Sequence, residues 1–150
     1  MKRFVSLHPE NAMAHYFYAA ALTKQERSEE NFEAVQSELR TAIELDPHLG
    51  DAYLQLGILC SNRGDLPGAI SALQKAIENT ALPDEAHYRL AQIYRRKGEA
   101  DKASKELEQY KKVSEQKKKD AERERHEIQQ FVYTLRGQAA PSPQPDAHPQ

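Results

Sequence analysis

Gly50-Asp51-Ala52-Tyr53-Leu54-Gln55-Leu56-Gly57-Ile58-Leu59-Cys60 aligns without a gap on Asp84-Glu85-Ala86-His87-Tyr88-Arg89-Leu90-Ala91-Gln92-Ile93-Tyr94. The offset stays constant from Gly50 against Asp84 to Cys60 against Tyr94. Each stretch is followed by a matching tail. Gly64-Asp65 precedes Ala69, Leu73 and Ala76 in one, and Gly98-Glu99 precedes Ala103, Leu107 and Tyr110 in the other. Self-similarity at a fixed period of this size is the mark of a repeat architecture. Within a copy, Leu56, Leu59, Ile70, Leu73 and Ile77 recur at helical spacing and give each helix an apolar stripe. The Gly-containing dipeptides break the pattern in two, because glycine accepts the left-handed geometry that ends a helix. Each copy therefore reads as two helices. The small residues Gly57, Ala69, Ala91 and Ala103 let their backbones approach closely. One such pair cannot bury its stripe alone, so neighbours must stack.

Outward from this core, a third copy lies upstream as Ala12-Met13-Ala14-His15-Tyr16-Phe17-Tyr18-Ala19-Ala20-Ala21-Leu22, with the tail Ala42-Ile43-Glu44-Leu45-Asp46-Pro47. The chain here resembles the tetratricopeptide repeat family, whose pattern runs W-x2-L-G-x2-Y, then A-x3-F, then P. The family's period is about 34 residues, which is the offset from Gly50 to Asp84. Tyr53, Leu56, Gly57, Cys60, Ala69 and Leu73 fill the pattern in the middle copy. His87, Leu90, Ala91, Tyr94, Ala103 and Leu107 fill it in the last, and His15, Tyr18, Ala19 and Leu22 in the first. The resemblance covers roughly residues 4 to 113. It implies an all-α fold: a right-handed superhelical stack of antiparallel helix pairs, a solenoid, continued by a long charged C-terminal helix.

The expected organisation is a tail of an incomplete upstream repeat over residues 1–11, then repeats over 12–49, 50–83 and 84–113. A charged helical arm with an apolar end follows over 114–136, and a disordered Pro-rich tail over 137–150. There are departures from the family pattern. No copy has its tryptophan; His or Tyr stands there. The first copy is longer around residues 24–31, which predicts an extended turn or a lengthened second helix. The proline after the middle copy, Pro83, is shifted. At the front, Phe4-Val5-Ser6-Leu7-His8-Pro9 reads like the end of a repeat whose first helix is absent. Phe17, Tyr18 and Leu22 would then have little in front of them. Either the chain is a fragment of a longer array, or its front face is covered by another molecule, or its first repeat is frayed and loosely packed.

Bulk composition excludes several function classes. Of 150 residues, 21 are Lys or Arg and 23 are Asp or Glu, so nothing in the charge demands nucleic acid or an anionic membrane. No apolar run has membrane-spanning length. Cys60 is the only cysteine, which rules out an internal disulfide and a thiolate cluster and suits a reducing compartment, so a cytoplasmic location is expected unless an upstream segment says otherwise. His8, His15, His48, His87, His126 and His148 show no metal-ligand spacing, and there is no phosphate loop. No cofactor, no metal and no catalytic residue is expected, so the chain is not read as an enzyme.

In the family, the first helix of each pair lines a concave groove. The resemblance places Met13, Tyr16, Ala20, Thr23 and Lys24 there, then Asp51, Leu54, Ile58, Ser61 and Asn62, then Glu85, Tyr88, Gln92, Arg95 and Arg96. Tyr16, Leu54, Ile58 and Tyr88 would form an apolar floor. Lys24, Asn62, Arg63, Arg95, Arg96 and Lys97 would form a mostly basic rim, suited to a protein or peptide partner with acidic groups. Tyr and Arg are the residue types that carry most energy at interfaces. Cations at helix C-termini are also favoured by the helix dipole alone. The carboxylate clamp of the chaperone-binding members is mostly unmatched: Tyr16, Ala20, Gln55 and Glu85 stand in its places, and only Arg89 fits.

Residues 100–136 contain neither Gly nor Pro, and a continuous helix there would run about 54 Å. Between Ser114 and Glu127 only Ala121 is apolar, which predicts a solvated helix. Ile128, Phe131, Val132 and Leu135 then fall at i, i+3, i+4 and i+7, one face of a helix. Burying these four is worth roughly 6–12 kcal/mol as an upper figure. Two readings stay open: the stripe folds back on the repeats, or it drives self-association into a homo-oligomer or docking on another protein. The expected function is a protein-interaction module, with self-assembly through residues 128–135 as the alternative.

Overall fold

The computed structural model describes residues 2–24 and 28–137, side chains of residues 2–4 excepted. Among these residues there are seven helices and no strand: α1 Lys2–Leu7, α2 Ala12–Leu22, α3 Glu29–Leu45, α4 Gly50–Arg63, α5 Leu66–Glu78, α6 Asp84–Arg96 and α7 Ala100–Leu135. The pairs α2/α3, α4/α5 and α6/α7 coincide with the three sequence copies. The expected all-α repeat stack is what forms.

Local chemistry sets the helix ends. Asn11, Ser28 and Asp65 each occupy an N-cap, with side chains accepting from the amides of Ala14, Asn31 and Gly68. At the other end Gly64 has φ 82°. The Asp65 amide donates to the Cys60 carbonyl at 3.0 Å and the Gly64 amide to Ser61 at 3.1 Å. Glu99 to Tyr94 and Gly98 to Arg95 repeat that pattern at 2.9 and 3.1 Å. These are Schellman closures, and they turn the chain sharply enough to lay the second helix against the first.

Packing divides the chain into two compact units, Met1–Ser114 and Glu115–Gln150. In the first, one cluster joins α2, α3 and α4 through Ala19, Leu22, Val35, Leu39, Ala42, Ala52 and Leu59. A second joins α4, α5, α6 and the start of α7 through Cys60, Ala69, Leu73, Leu90, Ile93, Tyr94 and Ala103. Leu56 packs against both and links them. α4 and α5 approach closely at Gly57, where an added Cβ would stand 2.7 Å from Leu73 Cγ. Leu22, expected to lack cover, is buried in the first cluster, whereas Phe17 remains 48% exposed.

The insertion in the first copy appears as a longer second helix. α3 has 17 residues against 13 in α5. The rest of that expected turn includes residues 25–27, outside the described residues, as does the expected disordered tail beyond Gly137. In the second unit, residues 115–135 of α7 carry ion pairs and hydrogen bonds among themselves, such as Arg123 with Asp120 at 2.8 Å and Gln116 with Asp120 at 2.9 Å. Ile128, Phe131, Val132 and Leu135 are exposed. No helix among the described residues is long and apolar enough to cross a membrane.

Candidate partner-binding groove

The helices that present the groove are pinned from behind. His15 of α2 donates from Nδ1 to Glu38 Oε2 of α3 at 2.6 Å, and His87 of α6 reaches Glu106 Oε2 of α7 at 2.7 Å. The second nitrogen of His15, Nε2, faces the Pro9 carbonyl at 3.0 Å. Both ring nitrogens thus face acceptors, and only the imidazolium satisfies both. Burial of the ring pulls its pKa down. The Glu38 hydrogen bond, the Pro9 carbonyl and the Glu38 charge outweigh it, leaving the value above 6.5. In the middle copy Tyr53 holds the same place and packs on the second cluster, while Ala72 stands in register with the two glutamates. The repeat thus fills one position in two ways: a histidine hydrogen-bonded to glutamate, or a tyrosine with alanine in the glutamate's register.

In front of these pins, a cleft of about 520 Å³ opens between α4 and α6, lined by Ser61, Asn62, Arg89, Gln92, Ile93, Arg95 and Arg96. Ser61 and Asn62 occupy in α4 the places that Arg95 and Arg96 occupy in α6, one repeat period on. The two walls are therefore equivalent surfaces of successive repeats, neutral on one side and cationic on the other. Among the described residues neither Arg95 nor Arg96 has an ion pair, and both are exposed. Of the other basic residues expected at the rim, Lys24 is exposed and does not line the cleft, while Arg63 and Lys97 are occupied, as is Arg89 of the cleft wall. Arg63 pairs with Glu29 and lies 5.6 Å from the Phe32 ring centroid. Lys97 pairs with Glu99 at 2.7 Å, and Arg89 pairs with Glu85 at 2.7 Å. The basic rim is thus narrower than the sequence suggested.

A smaller pocket of about 150 Å³ adjoins, lined by Thr23, Asn31, Phe32, Val35, Gln55, Ile58, Leu59 and Asn62. Val35 and Leu59 are buried beneath it, and Phe32 and Ile58 are half-buried at its sides. Asn62 lines both spaces.

Of the residues expected in the groove, the cleft gathers Ser61, Asn62, Gln92, Arg95 and Arg96, and the pocket gathers Thr23, Ile58 and Asn62. Tyr16, Lys24, Leu54 and Tyr88 lie outside both. Tyr16 packs on the first cluster with its ring 5.3 Å from Phe17. Burial first, then the Asp51 charge, pushes the Tyr16 phenol pKa up. Leu54 packs on the second cluster, Lys24 is exposed, and Tyr88 lies 5.4 Å from Tyr110. Cys60 is buried, and burial raises its thiol pKa. Its environment disfavours the thiolate a nucleophile would need. No three His, Cys, Asp or Glu side chains group as metal ligands among the described residues.

Sequence reasoning missed Phe32 and Val35, because the groove pattern considers only the first helix of each pair. It also missed Glu38 and Glu106, although each lies one repeat period from Ala72, a register that exposes the histidine partners once the copies are aligned.

A tetratricopeptide repeat family model matches residues 63–121. Two crystal structures of MamA are each 29% identical to the chain. One has a TM-score of 0.71 and covers 79% of this chain and 67% of that one. The other has a TM-score of 0.67, with 79% and 62% covered. A further structure, MamA MSR-1 C2, is 17% identical with a TM-score of 0.61, covers 77% and 64%, and bears on the fold alone. The chain thus spans about two thirds of the length of these proteins, or slightly less. No curated protein sequence matches it significantly. A tetratricopeptide repeat model thus matches residues 63–121, and the chain shares an all-α fold with the MamA structures, consistent with a solenoid of helix pairs.

Proposed function

We propose that the chain is a non-catalytic interaction module that holds a segment of a partner protein in the cleft between α4 and α6. A tetratricopeptide repeat with MamA-like neighbours supports an interaction or scaffold role. The observation that carries the finer reading is the pair Arg95 and Arg96. They stand at an open cleft with no ionic partner while Arg63, Arg89 and Lys97 are each occupied. A guanidinium without a carboxylate is ready for bidentate binding of one. The helix dipole explains cations in the last turn of α6, but it does not explain two of them converging on a cleft.

A second reading rests on the apolar stripe. Ile128, Phe131 and Leu135 are 57%, 63% and 71% exposed, and Val132 is 37% exposed. A second copy or another helix laid on that face would make the chain an assembly unit.

Capture from a native extract separates the two. The baits are the unaltered chain, Arg95→Glu with Arg96→Glu, and Phe131→Asp with Leu135→Asp. The groove reading expects a partner lost only from the arginine variant. Loss only from the stripe variant, or recovery of the chain itself as partner, favours assembly.

A further inference from the structure

The pocket and the cleft adjoin along α4 and share Asn62 as a common wall, the pocket bounded by α3 on its far side and the cleft by α6. Their chemistries differ. The pocket has a floor of Val35 and Leu59 with Phe32 and Ile58 beside it, and its rim amide Asn31 is already bound to the Leu22 carbonyl at 2.9 Å. It therefore offers apolar contact more than spare hydrogen bonds. An apolar cavity of about this volume accommodates a ring the size of benzene. One Leu, Ile or Phe side chain fits it. The cleft offers two uncommitted guanidinium groups.

We infer that the two spaces form one site for an extended segment carrying a single large apolar side chain and, about three residues away, a pair of carboxylates. This deepens the groove reading above and rests on it. The spacing follows from geometry. Crossing α4 with its side chains takes about 10 Å, and an extended chain advances about 3.3 Å per residue. The apolar side chain seats on Ile58 and Phe32, Asn62 lies beneath the intervening backbone, and the carboxylates meet Arg95 and Arg96.

The unaltered chain is titrated with labelled Gly-Ser dodecamers that carry one Leu and a Glu-Glu pair. The two are separated by zero to seven residues in both orders, and binding is read by fluorescence anisotropy. Affinity is expected to peak at a separation of two to four residues in one order. Replacing Leu by Gly, or both Glu by Gln, should each weaken the best peptide about tenfold or more. Ile58→Thr should remove the Leu advantage and keep the Glu advantage, and Arg95→Gln with Arg96→Gln should do the reverse. A profile flat in separation, or a Leu advantage that survives Ile58→Thr, overturns the inference, and the profile is read on a chain that needs no substitution to fold. If no dodecamer binds while an extract partner still depends on the two arginines, the two-part site is wrong and the groove reading stands. A partner indifferent to the arginines removes both.

Discussion

His15 and His87 are polar groups of the first helices that lie buried or half-buried, whereas Arg95 and Arg96 of the same helix set are exposed. Behind the helices each histidine meets a glutamate within 2.7 Å, and no buried side-chain polar atom among the described residues lacks a partner. In the cleft the two arginines meet no carboxylate among the described residues. A buried polar group must be satisfied because leaving it bare costs about 1–3 kcal/mol. An exposed cation is under no such demand, since water satisfies it. The pins behind the helices are therefore explained by folding, whereas the helix dipole favours cations at the end of α6 but does not require that they line a cleft.

The contrast is sharpened by substitutions on its folding side, which should lower stability and leave partner capture intact at temperatures where the chain is folded. Leu73→Ala empties a fully buried place beside Gly57 and should cost about 2–5 kcal/mol in denaturant unfolding. Glu106→Ala strands the His87 ring and should cost about 1–3 kcal/mol. Adding His87→Tyr to Glu106→Ala installs the solution of the middle repeat and should recover most of that loss. Failure of the rescue would mean that the two solutions are not interchangeable. Gly98→Ala places a Cβ at φ 76° and should cost about 1–2 kcal/mol. The smallest effect is on pH. The folded pKa of His15 is raised, so its contribution is fully present below 6.5 and is lost as pH rises through the folded value. Glu38→Gln should flatten that part of the pH profile of the melting temperature.

The stack was legible in the sequence because the constant offset between copies, the Gly-Asp and Gly-Glu breakers and the small residues at helix crossings are all local signals. The helix pairs fell where the copies placed them. The groove was only half legible. Arg95, Arg96, Gln92 and Asn62 follow from helical register, but whether a cation is free depends on which glutamate lies nearby in space. Arg63 and Lys97 occupy equivalent positions in successive repeats, and both are taken, by Glu29 and Glu99. The Lys97 pair is local in sequence, whereas the Arg63 pair is a tertiary contact, which no period reports. The pocket was invisible for the same reason, since Phe32 and Val35 reach it from a second helix.

The most direct test combines two readings of one variant, Arg95→Glu with Arg96→Glu. Its melting temperature and its capture of the extract partner are compared with those of the unaltered chain. The account predicts a lost partner and a melt lowered by no more than the helix-end charge term, about 0.3–1 kcal/mol per residue. A larger loss of stability, or a partner still held, would contradict it by showing that the two arginines serve the fold or serve nothing in the cleft.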